Sequence, residues 1–142
     1  MVEGKPSLGR IHHYGVAAES IEDMVDWLEQ HATVRHASPP VWDELQQAWL
    51  SLIDMPGGTL EIVAGPIVRG VLEKGRMGYH VCFEVPDIGA ALSSLLKGGA
   101  RQVTRPSPAV LFGGRRVCFV HTRLGLIELL EQANAELGTA SV

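Results

Sequence analysis

Four residues have types and spacing that could do chemistry together: His13, Glu61, His80 and Glu128. Glu61 follows His13 by 48 residues, and Glu128 follows His80 by the same 48. Two imidazoles and two carboxylates suit a divalent cation with mixed nitrogen and oxygen ligands, with open positions left for water or substrate. Each glutamate interrupts an otherwise apolar run, Thr59 to Val63 and Leu126 to Leu130, and a buried carboxylate needs a compensating partner. The alternative is that both glutamates face solvent on edge strands while both histidines are hydrogen-bonded core residues. The residues alone leave the two readings even.

The elements that must position these four residues repeat. Gly78 to Val85 alternates as a strand, with His80, Cys82 and Glu84 on one face and Val81, Phe83 and Val85 on the other. Pro86 ends pairing and Asp87 can cap a helix. Arg10 to Ile21 runs the same way, with His13 matching His80 and Ser20 matching Asp87. Shared spacing with shared context at both ends points to an internal repeat. The first half reads as a strand at 10–17, a helix from Ser20 to about His31, a short strand at 33–36, then strands at 48–53 and 59–63 joined by a Pro-Gly-Gly hairpin. The second half reads as a strand at 77–85, a helix from Asp87 to Lys97, then strands at 101–104, 115–121 and 126–130. The predicted organisation is an N-terminal arm (1–9), one domain over 10–131 and a tail (132–142). The domain comprises module 1 (10–64), a linker (65–76) and module 2 (77–131).

The chain has 142 residues, 46 % hydrophobic and 20 % charged, with a net charge of −4. This is the composition of a globular protein. The charge and the lack of a basic cluster argue against nucleic acid as partner. No apolar run reaches the roughly 20 residues of a membrane span, so no membrane association and a cytoplasmic location are expected. Cys82 and Cys118 both lie in apolar runs and are expected as reduced, buried thiols.

The repeat, His13-Tyr14-Gly15-Val16-Ala17, Tyr79 to Ile88 and Gly113 to Glu131 resemble the vicinal oxygen chelate superfamily, most closely its methylmalonyl-CoA epimerases and glyoxalase-I-like proteins. The resemblance implies an α+β fold of two tandem βαβββ modules in a curved mixed sheet around a metal site. It places the ligands at His13, Glu61, His80 and Glu128, for Zn, Co, Ni, Mn or Fe. It further implies a homodimer with an apolar interface, for which Trp42 and Trp49 are candidate residues, and a small-molecule substrate such as an acyl-CoA or another acyl thioester. The shared chemistry is proton transfer beside a carbonyl, with an enolate stabilised by the cation. Glu128 is the expected base. Related epimerases carry a second glutamate near Leu45, where only the neighbouring Glu44 is available. Arg115, Arg116 and Phe112, at the Pro/Gly-rich loop before the seventh strand, are expected on the substrate side. A glyoxalase-type lyase and a non-catalytic small-molecule-binding protein are the alternatives.

Overall fold

A computed structural model describes residues 8–133. The arm residues 1–7 and the tail from 134 onward lie outside the described residues. Among the described residues, ten strands and three α-helices occur in the order β1 (Ile11–Ala17), α1 (Ile21–His31), β2 (His36–Ala37), β3 (Val41–Asp43), β4 (Ala48–Met55), β5 (Gly58–Ala64), α2 (Arg69–Glu73), β6 (Gly78–Val85), α3 (Ile88–Lys97), β7 (Arg101–Gln102), β8 (Ser107–Pro108), β9 (Arg116–Thr122) and β10 (Gly125–Glu131). None of the described helices is long and apolar enough to cross a membrane.

The described residues form two compact units, 12–82 and 8–11 with 83–133, and the division falls inside β6 rather than in the 65–76 linker. In the first unit the strands lie in the order β2-β4-β5-β1, with β3 on β4. Its sheet is mixed: β1 runs parallel to β5, and β4 antiparallel to it. In the second unit the order is β7-β9-β10 and then the last residues of β6, with β8 on β9. The equivalent strands of each half therefore take equivalent places. Each half has one short strand more than βαβββ predicts, β3 and β8.

The helices begin where the sequence places them. Ser20 Oγ accepts the Asp23 N–H at 3.2 Å, and Asp87 Oδ1 accepts the Ala90 N–H at 3.0 Å, so each satisfies a donor the first turn leaves open. Glu22 and Asp23 in the first turn of α1 and His31 in its last suit the helix dipole. α1 buries Ile21 and Leu28 against Ile53, Ile62 and Ala64. α3 buries Ile88 and Ala91 against Val85, Cys118, Val120, Ile127 and Leu129. At about 1.5–3 kcal/mol for each large apolar side chain, these two clusters hold the strands in register. The β4–β5 turn uses Gly57 at φ 88°, a conformation a side chain would strain. Residues 44–47 form a turn, held by buried Asp43, which accepts from the backbone N–H groups of Leu45 and Gln46 and from the Gln46 amide.

Candidate metal centre

His13 and Gly15 point to the same face of β1, and parallel pairing sets Gly15 level with Glu61 of β5. His13 is 1 % exposed, Glu61 2 % and His80 5 %. Their polar ends converge. His13 Nε2 lies 3.1 Å from His80 Nε2, and Glu61 Oε1 lies 3.6 Å from the first and 3.4 Å from the second. Donors about 2.1 Å from a common ion, at octahedral to tetrahedral angles, are separated by roughly 3.0–3.4 Å. The triangle is close to that size, and two nitrogens with one carboxylate oxygen are a donor set that transition-metal ions accept. These residues fit a divalent cation.

Neighbours hold the triangle in place. A Cβ built at Gly15 would overlap the imidazole of His80, so only glycine lets that ring lie across β1. The ring of Tyr79 meets His80 edge-on at 5.0 Å. His12 Nδ1 lies 2.9 Å from His13 Nδ1. Strand alternation sends His12 and His13 to opposite faces, which is why the sequence gives His12 no role. The contact forms because Nδ1 is the ring nitrogen nearer the backbone. His12, His13 and Cys82 also bring two ring nitrogens and a sulfur within 4.8 Å of one another.

The other expected site residues are placed as follows. Glu128 belongs to the second unit, where β10 buries it to 1 % exposure opposite Phe119 of β9. Glu44 is exposed in the β3–β4 turn, and its carboxylate accepts from Trp42 Nε1 at 3.2 Å and Gln47 Nε2 at 2.7 Å. It is not among the residues brought together. Arg115 donates to Glu84 Oε2 at 2.7 Å and to the Glu131 carbonyl at 2.8 Å. Arg116 pairs with Glu131 at 2.9 Å. Glu84 is also bonded by Arg10, which explains a carboxylate on β6. Both arginines thus have partners within the chain. Phe112 is 8 % exposed in a 3-10 turn over Val110–Phe112. Trp42 and Trp49 form an exposed edge-on pair at 5.4 Å.

Known proteins share sequence and fold with this chain. An ethylmalonyl-CoA/methylmalonyl-CoA epimerase of Cereibacter sphaeroides is 28 % identical over 123 residues, which cover 82 % of this chain and 90 % of that protein. The mitochondrial methylmalonyl-CoA epimerase of Dictyostelium discoideum is 25 % identical over 127 residues, covering 84 % and 75 %. The crystal structure of methylmalonyl-CoA epimerase from Mycobacterium tuberculosis shares the fold, with a TM-score of 0.77, 19 % identity and coverage of 99 % and 97 %. A Streptomyces coelicolor methylmalonyl-CoA epimerase variant in complex with 2-nitronate-propionyl-CoA matches with a TM-score of 0.70, 21 % identity and coverage of 90 % and 100 %. The Glyoxalase/Bleomycin resistance protein/Dioxygenase superfamily profile matches residues 12–119, which with the repeated strand order makes this chain a member of that superfamily.

Proposed function

We propose that the chain is a divalent-metal-dependent epimerase that moves the proton α to the carbonyl of an acyl-CoA thioester. The observation that carries this reading is the buried His13–Glu61–His80 triangle, with edges of 3.1–3.6 Å, in a chain whose relatives include methylmalonyl-CoA epimerases. When bound, the cation would supply the positive charge that a developing enolate oxygen requires. His13, Glu61 and His80 would hold it, with Glu128 as the fourth ligand. Support for Glu128 comes from its burial and from a place in its own half that matches Glu61. Glu128 would leave the cation to take the α-proton, since a carboxylate can accept a proton where an amide cannot, and inversion requires that the proton return to the opposite face of the enolate. Glu44, held by Trp42 and Gln47 in an exposed turn, is not assigned a role.

A lyase acting on a hemithioacetal is the second reading, favoured by Glu61 being a carboxylate rather than an amide. The test is α-proton exchange in D₂O on methylmalonyl-CoA and on a hemithioacetal, after metal analysis of the purified protein. The metal-loaded wild type should exchange the thioester. Glu128→Gln should keep bound metal and lose roughly 10²–10⁴-fold in exchange. Glu44→Gln should match wild type. Exchange confined to the hemithioacetal would select the lyase, and no exchange on either compound would leave a binding protein. Full activity in Glu128→Gln would remove it as the base.

A further inference from the structure

The ligand triangle uses Nε2 of His13, 3.1 Å from His80 Nε2 and 3.6 Å from Glu61 Oε1. This places a condition on the other nitrogen. A ring nitrogen that binds a cation presents its lone pair, so the single proton of a neutral His13 ring must sit on Nδ1. That Nδ1 is 2.9 Å from Nδ1 of His12. Two ring nitrogens at this distance share one proton, so His12 must accept there and carry its own proton on Nε2. His12 is half-buried on β1 and its ring stands edge-on to that of His13, with centroids 5.1 Å apart.

We propose that His12 is a positioning residue that fixes His13 in the tautomer with Nδ1–H, and so keeps Nε2 available to a cation in the His13–Glu61–His80 triangle. The inference rests on the metal-dependent reading above. The more familiar partner of a ligating histidine is a carboxylate or a carbonyl, and here a second imidazole in its neutral form does the accepting. In module 2 the residue before His80 is Tyr79, whose ring meets that of His80 edge-on at 5.0 Å. The cluster His12–His13–Cys82 offers a competing use of the same atoms. A soft cation there would need the lone pair of His13 Nδ1, which is the opposite tautomer. The two uses of His13 are distinguishable by where its proton lies.

Outer partners of this kind are worth about 10–100-fold in metal affinity. Zn²⁺ affinity should be measured by chelator competition on wild type, His12→Leu and His12→Asn. Leucine removes the acceptor, whereas the asparagine side-chain oxygen can take the place of Nδ1. His12→Leu should weaken Zn²⁺ binding by roughly 10–100-fold, and His12→Asn should stay within about threefold of wild type. Long-range ¹H–¹⁵N correlation on the Zn²⁺-loaded wild type should show the proton of His13 on Nδ1 and that of His12 on Nε2. This second measurement needs no variant, so it decides the matter even if His12→Leu does not fold. Equal affinity in His12→Leu and wild type would overturn the role of His12 alone. A His13 protonated on Nε2, or bare at Nδ1, would overturn it too. A wild type that binds no Zn²⁺ would overturn both this role and the metal-dependent reading.

Discussion

The two halves of the chain carry the same hairpin in the same register. In module 1, Leu52 pairs with Glu61, Leu50 with Val63 and Met55 with Gly58. In module 2, Phe119 pairs with Glu128, Val117 with Leu130 and Thr122 with Gly125. Every one of these pairs is displaced by 67 positions, the separation of His13 from His80. The displacement slips only in the short strands. β2 meets β4 through His36 and Ala37, whereas the equivalent contacts of β9 fall to Arg101 and Gln102, two residues early for that offset. The residues around His13 and His80 and along the hairpins differ much more than the ladder does. His12 becomes Tyr79, Gly15 becomes Cys82, Ser51 becomes Cys118, and the pair Trp49–Ala64 becomes Arg116–Glu131. Register is set by a continuous ladder and a tight turn, and one slip would turn every side chain over. A supporting side chain has no such constraint, and there the two halves have diverged.

The sharpest break in the comparison is predicted at Gly15 and Cys82, matching positions of the repeat where one half has no side chain and the other a thiol. A Cβ at Gly15 would overlap the His80 ring, so Gly15→Ala must displace that ring from the triangle. Misplacing one reacting group by an ångström costs roughly 10²-fold in rate, and Zn²⁺ affinity should fall with it. Cys82→Ala removes one buried sulfur next to His12 and His13 and should cost far less. Isothermal titration with Zn²⁺ on the two variants checks this. Equal losses would mean that the rings are held alike in both halves.

The repeat made the convergence of His13, Glu61 and His80 legible, because equal spacing with equal flanking patterns survives in a sequence without any contact being known. The capped helices were legible through Ser20 and Asp87. β3 and β8 were not, being three and two residues long, with Pro108 in one and a side-chain-bonded turn after the other. Such strands exist because a neighbour supplies hydrogen bonds, and their own residues announce nothing. Arg115 and Arg116 looked available for substrate because a sequence shows a charge and not its partner. Glu84 and Glu131 are those partners. His12 was hidden by the alternation rule itself, which describes Cβ directions and not the reach of a ring nitrogen.

A smaller effect separates Ser51 from Cys118, both wholly buried at equivalent places. Ser51 Oγ donates to the Ser38 carbonyl at 2.7 Å, and Ser38 Oγ accepts the Leu52 N–H at 2.8 Å. Cys118 instead packs among Val85, Ile88, Val120 and Leu129. Cys118→Ser would place a hydroxyl in that apolar cluster and should cost about 1–3 kcal/mol, whereas Ser51→Ala should cost about 1 kcal/mol. Urea unfolding of both variants measures the order, and the reverse order would show that the two clusters are alike in polarity. Burial, and then the charge of Glu128, push the Cys118 thiol up from an ordinary 9.0 to about 11. The native state disfavours the thiolate, so the unfolded chain ionises first. Stability from this group is therefore complete below about pH 9 and is lost as pH rises towards 11. Cys118→Ala should flatten that alkaline decline.

The smallest expected effect lies at the mouth of the two hairpins, where the same register pairs different chemistry. Trp49 opposes Ala64 in module 1, and its ring meets Trp42 edge-on. In module 2, Arg116 Nη2 meets Glu131 Oε2 at 2.9 Å, with Arg116 exposed and Glu131 partly so. The hydrogen bond from Arg116 holds the Glu131 carboxyl below its ordinary range. A depressed carboxylate contributes stability above its unfolded value, and that contribution disappears as pH falls through the lowered folded value. Exposed pairs are worth little and are screened by salt, the Debye length being about 3 Å at 1 M. Glu131→Gln should therefore lower the melting temperature slightly at neutral pH and low salt. The difference from wild type should vanish in 1 M NaCl and at acid pH. Trp49→Ala removes an aromatic contact instead, so its loss should persist at high salt. If Glu131→Gln were as damaging in 1 M NaCl as without it, the carboxylate would be acting through the backbone N–H of Arg116 at 3.3 Å, as part of the ladder rather than as a charge.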